Sequence, residues 1–229
     1  MEHNRGVSSG SREFCSQSSQ VEDFPATRGA LLYEADLIGT AAAAALSSGT
    51  VDEVHVVGVG AGREHIATQD SLPHARIRGG TSHPRMVDAC RRFIDRTGLE
   101  HVTIGCRDVA ALDAADGPAD VVVLLNAVLC YVGPGHERAG AAAALHSVLR
   151  PGGMLTAVVH QPYGRPDWAA WFAARGALAR VGAVSGTPGG CRIRHGASTM
   201  LFHYFRPSEI TELLADAGFV HTHVRSLRA

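Results

Sequence analysis

The sequence predicts a doubly wound α/β domain in which a mostly parallel sheet lies between two layers of helices. Three observations predict this fold. Strand-like and helix-like segments alternate along most of the chain, two of the strand segments are apolar almost throughout, and a glycine-rich turn joins the first strand to a helix. Continuous apolar strands are typical of a parallel sheet that is covered on both faces. With 229 residues, the chain is long enough for one such domain and short for two.

Composition excludes several classes of protein. Hydrophobic residues make up 45% of the chain and charged residues 19%, which excludes disorder as the main state. The net charge of -1 leaves no bulk field for nucleic acid or an anionic membrane, so we predict neither as a partner. All 21 basic residues are Arg, which excludes a lysine Schiff base and a P-loop lysine.

The cysteines and the N-terminus predict a cytoplasmic protein. The 5 cysteines include no CxxC pair and indicate neither a disulfide framework nor a thiolate zinc site. The N-terminal segment lacks the apolar stretch of a signal peptide, and the other apolar stretches are much shorter than a membrane span. We therefore expect a cytoplasmic location.

The chain divides into an arm and one domain. Residues 1–24 are rich in Ser, Gln, Asn and charge, so we expect a flexible N-terminal arm. Residues 25–229 then form the domain. Within it, residues 161–200 contain a helix and a Gly-rich loop, VGAVSGTPGGCRIRHGAS, and we interpret them as an insertion or a substrate-covering segment.

The predicted strands and helices alternate along the chain. One or two helices precede the first strand, EVHVVGV, which starts at Glu53 and turns into a helix through three glycines. HARIRGG is a second strand, and Pro84 starts a helix that ends near Gly98. The remaining strand candidates are HVTIGC, ADVVVLLNAV, GGMLTAVVHQ and a closing FVHTHVRSL, with helices GHERAGAAAALHSVL, DWAAWFAARGALAR and PSEITELLADAGF between or before them.

The glycine turn points to a ligand. Gly58, Gly60 and Gly62 lie between the first strand and its helix, where missing Cβ atoms allow a tight turn and a close approach of a nucleotide-like ligand to the backbone. The spacing is G-x-G-x-G and not the G-x-G-x-x-G of dinucleotide folds. Alone, the motif is also compatible with a tight turn that binds nothing.

Several motifs in order resemble the class I S-adenosylmethionine-dependent methyltransferases, over nearly all of residues 30–226. VVGVGAG resembles their first motif, TSHPRM the segment after the second strand, GCRDVAAL the loop after the third, and ADVVVLLNAVLCYV the fourth strand. LRPGGML and FRPSEITELLADAGF resemble the turn before the fifth strand and the helix before the sixth. Within the superfamily, LLNAVLCYV, DWAAWF and FHYFRPSEITELLADAGF are most similar to the histamine N-methyltransferase-like group.

The resemblance implies a Rossmann-like methyltransferase fold, S-adenosylmethionine as the cofactor, and a set of contacts to it. The three turn glycines would approach the methionyl and ribose parts. Asp108 and the backbone of Val109 would bind adenine, and Asn126 would lie beside the amino acid end. Met86 would cover the ribose or adenine, although it also fits the apolar stripe of its helix. For Asp108, a solvated loop carboxylate is the alternative.

Two departures from the family pattern have consequences. Where most members carry an acid that grips both ribose hydroxyls, this sequence has Thr81, and the acid often found two residues before the first motif glycine is replaced by Val56. One neutral hydroxyl binds less strongly than a bidentate carboxylate, so we expect weaker cofactor binding.

The second departure is at the C-terminus, where the family's antiparallel seventh strand is missing. Unless ASTMLFHYF takes its place, an apolar sheet edge is left open, and open edges are usually paired or covered. We therefore expect a homodimer, or a heteromeric partner that covers this edge.

The candidate chemistry lies after the fourth and fifth strands, because the carboxyl ends of parallel strands carry the ligands of such folds. His160 is the candidate general base and Tyr131 accompanies it as a candidate catalytic residue; a His that caps a strand end is the alternative. Tyr33, Trp168 and Trp171 are candidate substrate-binding residues, although their positions also suit core packing. The pair HTH at 221 and 223 lacks a third ligand nearby, so we predict no metal.

The predicted function is methyl transfer from S-adenosylmethionine to an N or O nucleophile of a small molecule, in secondary metabolism. Methyl transfer demands few side chains, because the sulfonium is already activated. The threonine and the short C-terminus leave two alternatives open. One is an elimination, cyclisation or rearrangement on the same fold, and the other is a noncatalytic subunit of a complex.

Overall fold

The computed structural model describes most of the chain with side chains. The described ranges are 32–60, 62–113, 116–161, 166–181, 189–195 and 198–226. The predicted arm, 1–24, lies outside them.

A five-stranded parallel sheet forms the centre of the molecule and confirms the predicted doubly wound fold. Its strands are β1 (Glu53–Val57), β2 (Arg76–Thr81), β3 (Val102–Cys106), β4 (Ala119–Leu124) and β5 (Leu149–Ala157). Their order is β3-β2-β1-β4-β5, and every neighbouring pair is parallel. The connections therefore reverse direction between β1 and β4, and ligands of such sheets bind at the carboxyl ends of the strands at this point.

Helices cover both faces of the sheet. On one face lie α1 (Leu32–Ser48), α2 (Arg63–Ser71) and α3 (Pro84–Thr97), whose buried side chains share a core with Val54 and Val56 of β1. On the other face lie α4 (Val128–Tyr131), α5 (Gly135–Ser147) and a later helix at Pro207–Asp216, whose core includes Val57. The alternation along β1 places its successive side chains on opposite faces.

The helix α3 shows how local sequence sets these elements. Pro84 occupies its first turn, where the missing N–H has no partner to lose, and Gly98 ends it with φ 65°. Its buried residues recur at helical spacing, as predicted, and they are Met86, Val87, Cys90, Phe93 and Ile94.

The C-terminal part differs from the prediction. After α6 (Pro166–Arg180), the chain forms β6 (Gly190–His195) and β7 (Ser198–His203), which pair with each other in an antiparallel hairpin outside the central sheet. The segment GCRIRH, predicted as part of a loop, is therefore a strand. ASTMLFHYF does not take the place of a seventh strand, because β7 pairs with β6 and is not part of the central sheet.

The predicted closing strand, FVHTHVRSL, is wrong over the described residues. The helix α7 spans Pro207–Asp216. The segment 219–226 that follows it forms no strand. His221 has φ 57°, which interrupts an extended run, and Arg225 forms an ion pair with Asp36 of α1. Among the described strands, β5 therefore pairs with β4 alone.

Candidate functional site

The turn between β1 and α2 requires glycine at two positions for backbone reasons. Gly58 has φ 72° and Gly62 has φ 104°, a region that favours glycine. A Cβ at Gly58 would lie 2.0 Å from the Val128 side chain, and the Gly58 N–H donates to the Gly80 carbonyl at 2.7 Å. Gly60 is buried in the same turn. The turn is thus fixed against α4 and β2.

A half-buried amide and a buried carboxylate join this turn to the segment after β4. The Asn126 side-chain N–H₂ donates to the Gly58 carbonyl at 2.9 Å and to Glu64 Oε1 at 2.7 Å. Glu64 is 1% exposed, and its second oxygen, Oε2, has no hydrogen-bond partner among the described residues. Burial, only partly offset by the Asn126 hydrogen bond, raises the pKa of Glu64. An unpaired buried carboxylate oxygen fits a cationic ligand group.

The start of α1 closes over the same turn through an ion pair. Arg63 Nε donates to Glu34 Oε2 at 3.1 Å, and a terminal guanidinium nitrogen donates to Oε1 at 2.7 Å. Glu34 is 1% exposed. Tyr33 beside it is on the exposed side of the helix start, and its pKa is raised by burial and by Glu34. The predicted substrate residue Tyr33 therefore lies next to the glycine turn.

Sequence reasoning missed Glu34, Arg63 and Glu64. The pairs they form join residues 29 and 62 positions apart, so no local spacing reveals them. A weak signal was present, because acidic and basic residues directly follow the last glycine of the turn.

The residues predicted to bind the nucleoside end lie after β2 and β3. Thr81 is buried at the end of β2, and its carbonyl accepts the Arg107 N–H at 2.8 Å. Asp108 Oδ1 accepts the Ala110 N–H at 2.9 Å and so caps the 3₁₀ turn Val109–Ala111. The Val109 side chain belongs to the core. Strand pairing places these segments and the glycine turn side by side at the carboxyl ends of the strands.

The candidate catalytic residues lie in an aromatic cluster after β4 and β5. His160 and Tyr131 both face the Phe202 ring, with centroid distances of 5.5 Å and 4.9 Å, and the His160 ring also lies 6.5 Å from Tyr204. The backbone N–H of His160 donates to Cys130 Sγ at 3.2 Å. Desolvation by this packing lowers the pKa of His160, which favours the neutral imidazole that a base requires.

The helix α6 adds aromatic rings to this cluster. Phe172 is buried and lies 5.0 Å from the Tyr204 ring and 4.8 Å from Trp171. Trp171 is 50% exposed, and the Arg175 guanidinium lies 5.4 Å from its ring centre. Trp168 is part of the same helix, but its side chain lies outside the described residues.

No cluster of three or more His, Cys, Asp or Glu side chains with metal-binding geometry occurs among the described residues. His221 and His223 lie in an irregular segment, so they do not share a strand face as predicted. In the same described ranges, no helix has the length and apolar character that crossing a bilayer requires.

Comparison with known proteins supports the fold, and one family model matches part of the chain. Residues 54–153 match a family model described as a methyltransferase domain. The sequence has no significant match among curated proteins.

Similar solved structures share the architecture at low identity. The CcbJ methyltransferase from Streptomyces caelestis has a TM-score of 0.61 at 16% identity, over 88% of this chain and 84% of that chain. An S-adenosylmethionine-dependent methyltransferase from Clostridium acetobutylicum has a TM-score of 0.58 at 12% identity, over 87% and 85%. The [4+2]-cyclase SpnF has a TM-score of 0.53 at 20% identity, over 80% of this chain and 56% of that chain.

At these identities the structural likeness shows the fold alone, and the narrower similarity to the histamine N-methyltransferase group stays a prediction. The sequence match over residues 54–153 and the shared Rossmann-like fold together support the resemblance to the class I methyltransferases.

Proposed function

We propose that this protein transfers a methyl group from S-adenosylmethionine to an N or O nucleophile of a small molecule, in secondary metabolism. The observation that carries the proposal is the buried Glu64 carboxylate, which holds Asn126 at the glycine turn and keeps one oxygen unpaired. It lies within the part of the chain that matches a methyltransferase domain.

The polar groups around the turn suit the amino acid end of the cofactor. Glu64 Oε2 and Asn126 would receive the ammonium group, since a buried carboxylate oxygen without a partner is costly until a cation pairs with it. Arg63 would attract the carboxylate, while Glu34 holds its guanidinium in place.

The nucleoside end has weaker anchors. Thr81 would offer one hydroxyl to the ribose, and Asp108 with the Val109 backbone would receive adenine. Asp108 also accepts the Ala110 N–H, which holds its carboxylate at the start of the 3₁₀ turn. We therefore expect affinity to depend more on the Glu64 side of the site than on Thr81.

The aromatic cluster would bind the methyl acceptor. When bound, S-adenosylmethionine supplies a methyl group on an activated sulfonium. The work of the chain is then to hold the acceptor in line, to exclude water and to take up its proton. His160 would accept that proton as the neutral imidazole, beside Tyr131, while Trp171, Trp168 and Tyr33 cover the acceptor.

A labelled-methyl assay tests this function. The full chain is incubated with methyl-labelled S-adenosylmethionine and a panel of aromatic amines, alkyl amines and phenols. We expect label in at least one product, and we expect His160→Ala to lower the rate by about a hundredfold. An exposed histidine variant, His136→Ala, serves as the matched control. Cofactor binding without label transfer to any acceptor would speak against methyl transfer.

A second candidate is a non-methylating reaction on the same fold, such as a cyclisation. It is favoured by Thr81 in place of the acid and by the fold shared with a [4+2]-cyclase. Product mass discriminates the two, because methyl transfer adds about 14 mass units and requires the cofactor as a reactant. Turnover without a change in substrate mass and without consumption of S-adenosylmethionine would establish the second candidate.

A further inference from the structure

One face of the sheet carries a cavity over its first three strands. The connection from β3 to β4 contains the 3₁₀ turn Val109–Ala111 in its described part, and a cavity of about 240 Å³ lies over β1, β2 and β3 beside it. This volume is below that of drug-sized ligand sites and suits only a small ligand.

Strand register places its floor and wall residues in two rows. His55, Arg78 and Thr103 are paired across β1, β2 and β3, so their side chains share one face. The next row on that face is formed by Val57, Gly80 and Gly105, which pair in the same way. The second row therefore contains two positions without side chains.

The two glycines make the floor of the cavity. A Cβ at Gly105 would have no atom within 4 Å, and a Cβ at Gly80 would have its nearest neighbour, Arg107 Cβ, at 3.4 Å. The bare backbone at Gly105 leaves space that a larger side chain would fill. A ligand can thus lie directly on the sheet.

Two guanidinium groups converge at the side of the cavity. A terminal nitrogen of Arg78 donates to the Asp116 carbonyl at 2.8 Å, and Arg107 forms an ion pair with the Asp116 carboxylate. Both arginine side chains are about half exposed, at 49% and 52%. Asp116 thereby holds the two guanidinium groups near each other.

The charges do not balance within this group. Arg78 and Arg107 line the cavity with Asp116, which leaves one positive charge in excess. Glu53, outside the cavity, pairs with Arg78 and also with the more exposed Arg76. One positive charge is therefore in excess over these five side chains together. One anionic group would neutralise it.

His55 supplies an unsatisfied polar atom in the same cavity. Its side chain is 3% exposed and lines the cavity, yet its Nε2 has no hydrogen-bond partner among the described residues. Burial lowers the pKa of His55, and Arg78 and Arg107 lower it further while Glu53 opposes them. A buried ring nitrogen without a partner is costly unless a ligand or water satisfies it.

We propose that this cavity is a second ligand site, which binds a small metabolite through an oxyanion group, either a carboxylate or a phosphoryl group. Arg78 and Arg107 would receive the oxyanion by charge-assisted hydrogen bonds, His55 Nε2 would donate to it, and the body of the ligand would lie on the Gly105 backbone. The proposal does not rest on methyl transfer, since the side chains that would bind the oxyanion differ from those proposed for the cofactor.

Calorimetric titration of the full chain with inorganic phosphate and with acetate tests the site. We expect at least one anion to bind with a dissociation constant on the order of millimolar, as suits such small probes. Arg78→Gln and Gly105→Val should each weaken binding by about tenfold or more, whereas Arg92→Gln on the exposed side of α3 should not. Tighter binding of phosphate identifies a phosphoryl ligand, and tighter binding of acetate a carboxylate.

Two controls keep the result decisive. Thermal melting checks that Gly105→Val folds. If it does not fold, the binding measured with Arg78→Gln alone decides the test. Saturation with S-adenosylhomocysteine should leave the anion affinity unchanged. The proposal is overturned if neither anion gives heat at about 10 mM, if Arg78→Gln binds as the wild type does, or if Arg92→Gln loses binding equally.

Discussion

At the scale of single residues, Glu64 is the side chain on which the proposed cofactor site depends. It is buried, it orders Asn126, and its Oε2 has no partner in the described part of the chain. Natural proteins keep such a group when it serves binding, because an apolar or neutral residue would stabilise the fold better. In the proposed cofactor site, a carboxylate from the first turn of α2 would offset the one missing from the position of Val56.

We predict opposite effects of Glu64→Gln on binding and on stability. The affinity for S-adenosylmethionine should fall by about tenfold, or about 1.4 kcal/mol, because the ammonium loses its anionic partner. Because folding raises the pKa of Glu64, its contribution to stability is present below the unfolded pKa and is lost as pH rises through the folded one. The variant should therefore melt higher than the wild type at neutral pH, and by less in acid.

Calorimetry and thermal melts over pH check both effects. Glu212→Gln, at an exposed position of α7, is the matched control. Unchanged cofactor affinity in Glu64→Gln would remove this residue from the site.

We predict a separate loss of stability in acid that comes from His65. Its Nδ1 lies 3.1 Å from the Gly62 carbonyl, which can only accept, so Nδ1 carries the proton and the buried Nε2 has no partner among the described residues. Burial lowers its pKa to about 4. Because folding lowers this pKa, the neutral ring of His65 contributes to stability above the unfolded value of 6.5. This contribution, about 3 kcal/mol in total, is lost as pH falls toward the folded pKa.

Chemical denaturation of the wild type and of His65→Gln between pH 7 and pH 4 measures this loss. The difference between the two proteins in free energy of unfolding, plotted against pH, isolates His65. Glu64 contributes equally to both proteins, and its contribution changes with pH in the opposite direction. A difference that does not change with pH would contradict the assignment of a neutral, unpartnered Nε2.

At the scale of elements, the close contact of α2 with β2 depends on Gly79. A Cβ at this position would lie 2.3 Å from Ile104 Cδ1 and 2.5 Å from His65 Nε2. Both neighbours are buried, so neither can move without disturbing the core. Together with the turn at Gly58, this contact sets the position of the first turn of α2 and of Glu64.

Gly79→Ala should therefore destabilise the protein by about 1–3 kcal/mol through overpacking. Gly140→Ala in α5 is the control, since a Cβ there meets no atom within 4 Å and alanine favours the helix. Denaturant unfolding of the two variants gives the comparison. Equal stability of Gly79→Ala and the wild type would mean that α2 lies farther from the sheet.

The elements with strong periodicity could be predicted from the sequence, and those set by distant contacts could not. The stripe of α3 and the apolar run of β4 follow from local pattern alone. The hairpin of β6 and β7 does not follow from local pattern, because the glycines before β6 indicate a loop. The pattern of FVHTHVRSL predicts a strand and does not show that His221 interrupts it. In the site, the place of Asn126 after β4 follows from the fold, and Thr81 comes from the family resemblance. Glu64 depends on a contact across 62 positions, which no local pattern predicts.

At the scale of the whole molecule, the sheet has an edge at β5 that pairs only with β4 among the described strands. Free edges recruit partners or need cover. We expect a second copy of the chain to cover this edge, with a heteromeric partner as the alternative. Light scattering at about 50 μM should give twice the mass of the chain. A monomer at that concentration with turnover of its own would refute both the dimer and the noncatalytic subunit.

Titration calorimetry with S-adenosylhomocysteine tests the central claim most directly, because it needs no knowledge of the acceptor. We predict binding to the wild type and loss of binding in Gly60→Asp, where a carboxylate would occupy the turn that the ligand must approach. Gly140→Asp, on the exposed face of α5, should bind as the wild type does. No heat with S-adenosylhomocysteine or S-adenosylmethionine at about 1 mM, or full binding by a folded Gly60→Asp, would contradict the assignment of this turn as the cofactor site.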